Sequence, residues 1–232
     1  MNKGLMLAAF AVLLFGVTFA MENASVVNSS NQGRYSYVTV AGNVTTEGGN
    51  VTEVNISSNA STEKWVGFYG NVTGNVLLSK GTGTALYVWT WSPAESGEVC
   101  VSVNSAFNYW STLTAATASQ IDTIFGFTTP ADPDTASKTL VDTCSMSFTA
   151  RGATPISGIG NYTNNYAGNP TWETCAFDRG AESSQGDYVF CVNISSSKTV
   201  APVNANYNYQ VMAPISDTPG YTGPYYFYVE LE

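Results

Sequence analysis

The stretch EKWVGFYGNVTGNVLLS, residues 63–79, is the densest apolar and aromatic segment downstream of the N-terminal leader. Trp65, Gly67 and Tyr69 alternate with Val66 and Phe68 at the strand period of two, so both faces have something to bury or present. Gly70 and Gly74 punctuate it, and Val76, Leu77 and Leu78 begin a second apolar run. Local chemistry predicts a hairpin here: strand, Gly-Asn turn, strand.

Strand-like runs continue on either side. Residues 35–41 alternate and predict a first strand. LYVWTW (86–91) and VCVSV (99–103), separated by Pro93 and Gly97, predict a second strand pair. Residues 144–149, 172–177, 187–194, 206–213 and 225–231 predict further strands, and residues 154–170, rich in Gly, Asn and Tyr, a long loop. Residues 114–125 differ. Ala115, Ala116, Ala118 and Gln120 favour helix, Leu113, Thr117, Ile121, Ile124 and Phe125 fall near one face, and Thr114 is the expected cap. Short strands with one short helix imply an all-β fold, an antiparallel β-sandwich of immunoglobulin-like or related topology.

The N-terminus reads as a targeting segment. Lys3 precedes an apolar and small-residue run from Leu5 to Phe19, and Thr18-Phe19-Ala20 suits a signal peptidase. The run falls short of the ~20 residues that span a bilayer. Residues 1–20 are therefore expected to be a signal peptide cut after Ala20, leaving no permanent membrane span. The alternative is a type IV pilin-like leader cut after Lys3-Gly4, which would keep the apolar helix on the protein. Residues 21–34 are polar and predict a flexible arm unless something ties them down. Residues 35–232 are long enough for a single β-domain.

Only 11% of the chain is charged, and 17 acids against 8 bases give a net charge of −9. Such a surface repels phosphate backbones, so nucleic acid is not an expected partner. The four cysteines, Cys100, Cys144, Cys175 and Cys191, follow a leader and have no C-x-x-C spacing. They predict two disulfides rather than a zinc site. Cys175–Cys191 is the favoured pair because both lie on what look like two arms of one hairpin, leaving Cys100–Cys144.

Nine N-x-[ST] sequons begin at Asn23, Asn28, Asn43, Asn50, Asn55, Asn59, Asn71, Asn161 and Asn193, and seven of them precede residue 75. Such clustering predicts covalent N-glycans on an outward-facing first third.

Catalytic chemistry finds little support. There is no histidine, which removes the usual general base and Ser or Cys triads. No P-loop, dinucleotide or zinc-protease pattern occurs, and no cofactor or metal is expected. A glycosidase would need two carboxylates on a cleft. Glu95, Glu98, Asp178, Glu182 and Asp187 are available but read better as loop charges. Asp132 and Asp134 are too few for a tight calcium site. Tryptophans in strands read as packing. Tyr162 and Tyr166, on the predicted loop, are the candidates for ligand contact, for instance stacking on sugar.

Stretches in two blocks, at the two ends of the chain beyond the leader, carry a resemblance: Trp65-Val-Gly-Phe-Tyr-Gly-Asn-Val-Thr-Gly74 with Val76-Leu-Leu78, Tyr87-x-Trp89, Tyr209-Gln-Val-Met-Ala-Pro214 and Tyr225-Tyr-Phe-Tyr-Val-Glu-Leu231. Together they resemble a group of secreted surface proteins of hyperthermophilic archaea. The cysteine-bearing middle lies outside the match. The group has no established activity, so no site residue carries over. The resemblance implies an archaeal, glycosylated, extracellular or cell-surface β-protein. The leader, the sequon cluster, the β-prone terminal segments and the lack of a catalytic constellation lead to the expectation of a structural protein and not an enzyme. Its expected partners are its own copies or other surface proteins, and it is expected to be a filament or pilus-like subunit assembling by β-strand donation. A carbohydrate-binding or adhesion module using loop aromatics is the alternative. The β-prone, nearly uncharged segment 225–231 is expected to be the domain's own last strand, or else to pair with a neighbour's sheet edge.

Overall fold

The computed structural model describes residues 21–26, 29, 45, 47–48, 50–51, 53, 62–79, 85–92, 94–127, 132–145, 159–164, 170–180, 183–196, 198–200, 203–215 and 223–231. The strands are β1 (Glu22–Asn23), β2 (Trp65–Gly70), β3 (Gly74–Ser79), β4 (Ala85–Trp91), β5 (Gly97–Ser102), β6 (Thr114–Ala115), β7 (Asp142–Thr143), β8 (Ile159–Asn164), β9 (Pro170–Asp178), β10 (Tyr188–Asn193), β11 (Lys198–Val200), β12 (Ala205–Tyr207), β13 (Tyr209–Pro214) and β14 (Tyr226–Leu231). Two helices, α1 (Ala118–Phe125) and α2 (Ala136–Thr139), lie between β6 and β7. The fold is mostly β and antiparallel, as expected, with two short helices among the described residues where one was predicted. The leader and the predicted strand at 35–41 lie outside the described residues.

A large sheet runs in the order β1-β14-β5-β10-β9-β8-β7, with β6 also pairing β9. Its central strands have apolar side chains on both faces, so each face needs a cover. On one face Val99, Val101, Ala176, Phe190 and Val192 pack with Val211 and Ala213 of β13 and with Ile121 and Phe125 of α1. Phe68 of β2 meets Phe227 edge-on at 5.1 Å. On the other face Cys100, Cys175, Cys191, Phe177, Val189 and Tyr228 pack under Phe107, Trp110, Leu113 and Met21. The Tyr228 hydroxyl donates to the Asn104 carbonyl at 2.5 Å and accepts from the Phe107 N–H at 3.0 Å. The segment over this second face is thereby pinned to β14. The start of the expected arm is tied down too: Glu22 and Asn23 pair with Val229 and Tyr228.

Two expectations about strand pairing fail. β2 does not form a hairpin with β3; it pairs antiparallel with β13, from Trp65↔Pro214 to Gly70↔Tyr209. The Gly70–Gly74 segment does not close a turn because Asn208 captures it: Asn208 N–H donates to the Gly70 carbonyl at 3.1 Å, and Val72 N–H donates to Asn208 Oδ1 at 2.8 Å. β4 and β5 are not a pair either. β4 pairs with β3, whereas β5, buried along its whole length, takes β10 and β14 as neighbours.

The disulfides are Cys100–Cys191 and Cys144–Cys175, not the pairing favoured from the sequence. In the ladder Cys191 lies opposite both Cys100 and Cys175. A strand residue points its N–H and C=O to one neighbour only, so it makes a narrow pair on one side and a wide one on the other. The Cα atoms of Cys191 and Cys100 are 4.1 Å apart, which marks that side as narrow. Cys144, just beyond β7, reaches Cys175 at a Cα distance of 5.7 Å.

The helix starts later than predicted. Thr114 and Ala115 pair with Asp178 and Phe177, so the N-cap position falls to Thr117. Gly126, at φ +81°, ends α1 in the left-handed conformation, and Phe127 N–H donates back to the Asp122 carbonyl at 2.8 Å.

Gly97 begins β5 at φ +113°, and a Cβ there would run into the Glu230 carbonyl of β14. Gly97→Ala is expected to lower stability by about 2–4 kcal/mol, through backbone strain and a disturbed β5–β14 ladder. Gly67→Ala, with open space around its Cβ position, is the control and should stay within about 1 kcal/mol. Denaturant unfolding of the two variants compares them.

Candidate interaction site

The exposed apolar surface concentrates on one element. β3 and β4 form a two-stranded ribbon that joins no other sheet among the described residues. Its register runs Asn75↔Thr90, Val76↔Trp89, Leu77↔Val88 and Leu78↔Tyr87, with an irregularity after Leu78. Six large side chains stand in solvent: Leu86 (80% exposed), Leu77 (59%), Tyr87 (57%), Leu78 (51%), Val88 and Trp89 (46% each). Leu77 and Val88 lie on one face, Leu78, Tyr87 and Trp89 on the other. The Tyr87 and Trp89 rings sit 4.6 Å apart, tilted by 53°. Neither strand contains a charged residue. A two-stranded ribbon is marginal in water on its own, and a contiguous exposed apolar patch marks an interaction surface.

The root of the ribbon is fixed. Asn208, fully buried, accepts from Val72 N–H on the incoming chain and donates through Nδ2 to the Ala94 carbonyl on the outgoing chain, each at 2.8 Å. Ala94 N–H in turn donates to the Val72 carbonyl at 2.8 Å. Gly74 lies so close to Leu231 that any side chain there would displace it. One buried amide thus crosses the base of the ribbon and aims it away from the body. The sequence reading missed Asn208, because it lies 136 residues from Val72 and nothing local distinguishes it from a turn asparagine.

Two of the carboxylates considered for catalysis, Asp178 and Asp187, bind neighbouring backbone and side chains. Asp178 accepts from Thr114 Oγ1 at 2.5 Å and Gly180 N–H at 2.7 Å. Asp187 accepts from Ser183 N–H (2.7 Å) and Ser184 N–H (2.8 Å) and pairs with Arg179 at 2.8 Å. Burial alone would push the Asp187 carboxyl up; the two backbone donors, with Ser184 and Arg179, outweigh it and hold the group below its ordinary 3.8. Glu98 and Glu230 are buried opposite each other on β5 and β14, Glu95 is exposed, and Glu182 lies outside the described residues. A depression of about 250 Å³ beside α1, lined by Ser119, Gln120, Thr123, Ile124 and Tyr188, contains no carboxylate.

Asp132 and Asp134 face a cation supplied by the chain itself. Lys64 Nζ lies 2.8 Å from Asp132 and 3.4 Å from Asp134. The hydrogen bond to Asp132 raises the Lys64 ammonium above its ordinary value, against the opposing effect of burial. Thr62 donates to Asp134 at 2.6 Å, and Trp65 Nε1 donates to the Asp134 carbonyl at 2.7 Å.

Tyr162 lies on β8, within the segment expected to be a loop, and Tyr166 lies outside the described residues. Of the sequon asparagines, Asn50, Asn71 and Asn193 are exposed. Asn23 falls on β1, and Asn161 falls on β8 opposite buried Thr174. Asn28, Asn43, Asn55 and Asn59 lie outside the described residues. Among the described residues no helix is long and apolar enough to cross a membrane. No protein-family model, curated protein or solved structure matches the chain.

Two predictions follow from this geometry. Asp187 contributes stability that is fully present above its unfolded value near 3.8 and is lost as pH falls through its lower folded value. Asp187→Asn should cost about 1–3 kcal/mol at neutral pH and flatten the acid limb of stability against pH; an unchanged acid limb counts against this role. Glycopeptide mass spectrometry of native protein should find sugar on the exposed Asn71 and Asn193.

Proposed function

We propose that the protein is an extracellular structural protein that associates with copies of itself at the archaeal cell surface. In this reading it leaves the cytoplasm through its leader, carries N-glycans and works without turnover. The observation that carries the proposal is the uncharged ribbon, held rigidly at its root and exposing six large apolar side chains. The two disulfides support an oxidising compartment. The β2–β13 ribbon laid across the large sheet supports regarding the domain as a β-sandwich. Assembly by added strands remains the expected mode. The structure shifts attention from the C-terminal strand to the ribbon, because β14 is already flanked by β1 and β5.

Light scattering and negative-stain microscopy across a concentration series test this. Wild-type protein is expected to form dimers and larger assemblies. The double variant Leu86→Lys, Trp89→Lys should shift the association midpoint at least about 30-fold upward, as loss of a hot spot does. Wild-type particles that stay monomeric at every concentration would refute the proposal. The adjacent exposed rings of Tyr87 and Trp89 favour carbohydrate stacking as the second reading. It is chosen instead if a glycan array shows binding that the same double variant abolishes in a protein that remains monomeric.

A further inference from the structure

We propose that two copies of the chain join through β4, paired antiparallel to itself about a two-fold axis at Val88, to make a four-stranded sheet in the order β3-β4-β4-β3. The inference rests on the self-association reading and specifies its interface. Three observations carry it.

First, the outer edge of residues 86–90 has no ladder partner among the described residues, since the ribbon contains only β3 and β4. Backbone N–H and C=O groups along such an edge are a template for another strand. The large sheet manages its edges differently: a two-residue strand covers it at each end, β1 against β14 and β7 against β8. On β4 the usual guards of an open edge, a charge or a proline, are absent from Ala85 to Trp91.

Second, the strand is self-complementary. Antiparallel pairing about Val88 sets Tyr87 of one copy opposite Trp89 of the other, twice, with Leu86 opposite Thr90. Aromatic pairs of this kind stabilise adjacent strands. An axis through one residue also closes the contact as an isologous dimer.

Third, charge selects the surface. Each copy carries −9, so two copies repel across most faces. The strands 74–79 and 85–91 are uncharged, so the ribbons meet without like charges on the paired strands.

Disulfide trapping tests the register. The native cysteines are all bonded, so an added cysteine is a lone thiol. Val88→Cys, at an exposed position, places two thiols across the axis, where directly opposed residues lie within disulfide reach. Under mild diamide oxidation it should give at least about 10-fold more covalent dimer than Leu86→Cys alone, whose two thiols would lie some ~13 Å apart along the pair. Mixing Leu86→Cys with Thr90→Cys should restore the link as a heterodimer. If wild-type protein associates but Val88→Cys does not crosslink, or Leu86→Cys alone crosslinks equally well, this interface is wrong while self-association stands. If wild-type protein is monomeric and nothing crosslinks, both fall together.

Discussion

The fold depends on the burial of β10 on both faces. Tyr188, Phe190 and Val192 face β13 and α1, while Val189 and Cys191 face the layer of Phe107 and Trp110. A strand with two apolar faces must sit inside a sheet and between two covers. β5 and β9 supply its neighbours, and every other layer is placed by what those three strands expose. The Cys100–Cys191 bond fixes β5 against β10 at their narrow pair, and Cys144–Cys175 ties the β7 end of the sheet to β9. Each disulfide joins parts of the chain that local turns would leave independent, across separations of 91 and 31 residues.

What was legible in the sequence follows from that arrangement. The runs in β5, β9, β10, β13 and β14 announce themselves as strands because apolar, β-branched and aromatic residues recur there between turn residues. Partner choice was not legible. The Gly-Asn chemistry after Gly70 suits a tight turn, yet β2 pairs with a strand that begins at Tyr209. Pairing with β13 lets Phe68 and Trp65 lie against the large sheet, at Phe227 and Phe190, and that gain depends on contacts no local window contains. The cysteine pairing failed for a related reason. Cys175 and Cys191 are indeed cross-strand neighbours, but Cys191 has a neighbour on each side, and backbone hydrogen-bond phase decides between them. The helix boundary erred because Thr114 and Ala115 satisfy β9 first.

Lys64 shows how the chain substitutes for a ligand. Two aspartates in one tight turn invite a metal reading, but the described structure sets a nearly buried ammonium between them, with the Phe127 ring 6.0 Å away. The ion pair sits where β2 begins, and Ile215 N–H donates to the Lys64 carbonyl at 2.8 Å just beyond β13. The acidic turn therefore anchors one end of the β2–β13 ribbon, as Asn208 anchors the other. A buried cation of this kind is costly unless fully paired, so its contribution is better understood as fixing position than as adding stability.

The candidate site was half legible. Its strands and their apolar character are plain in GNVLLS and ALYVWTW, but their exposure is not, because an identical run would serve as core if the chain folded back. Here it does not fold back. Asn208 bonds Val72 and Ala94 together, so the chain leaves the body and returns at one point, and the ribbon between them is largely exposed. That geometry separates two jobs the same residue types perform. In β5 and β10 continuous apolar sequence is consumed by the molecule's own layers. In β3 and β4 most of it, apart from Trp91 at the root, stands in solvent, in a protein that otherwise ends its main sheet with two-residue strands. An uncharged apolar surface of this kind is costly to leave in water, and in the proposed dimer a second molecule completes the sheet.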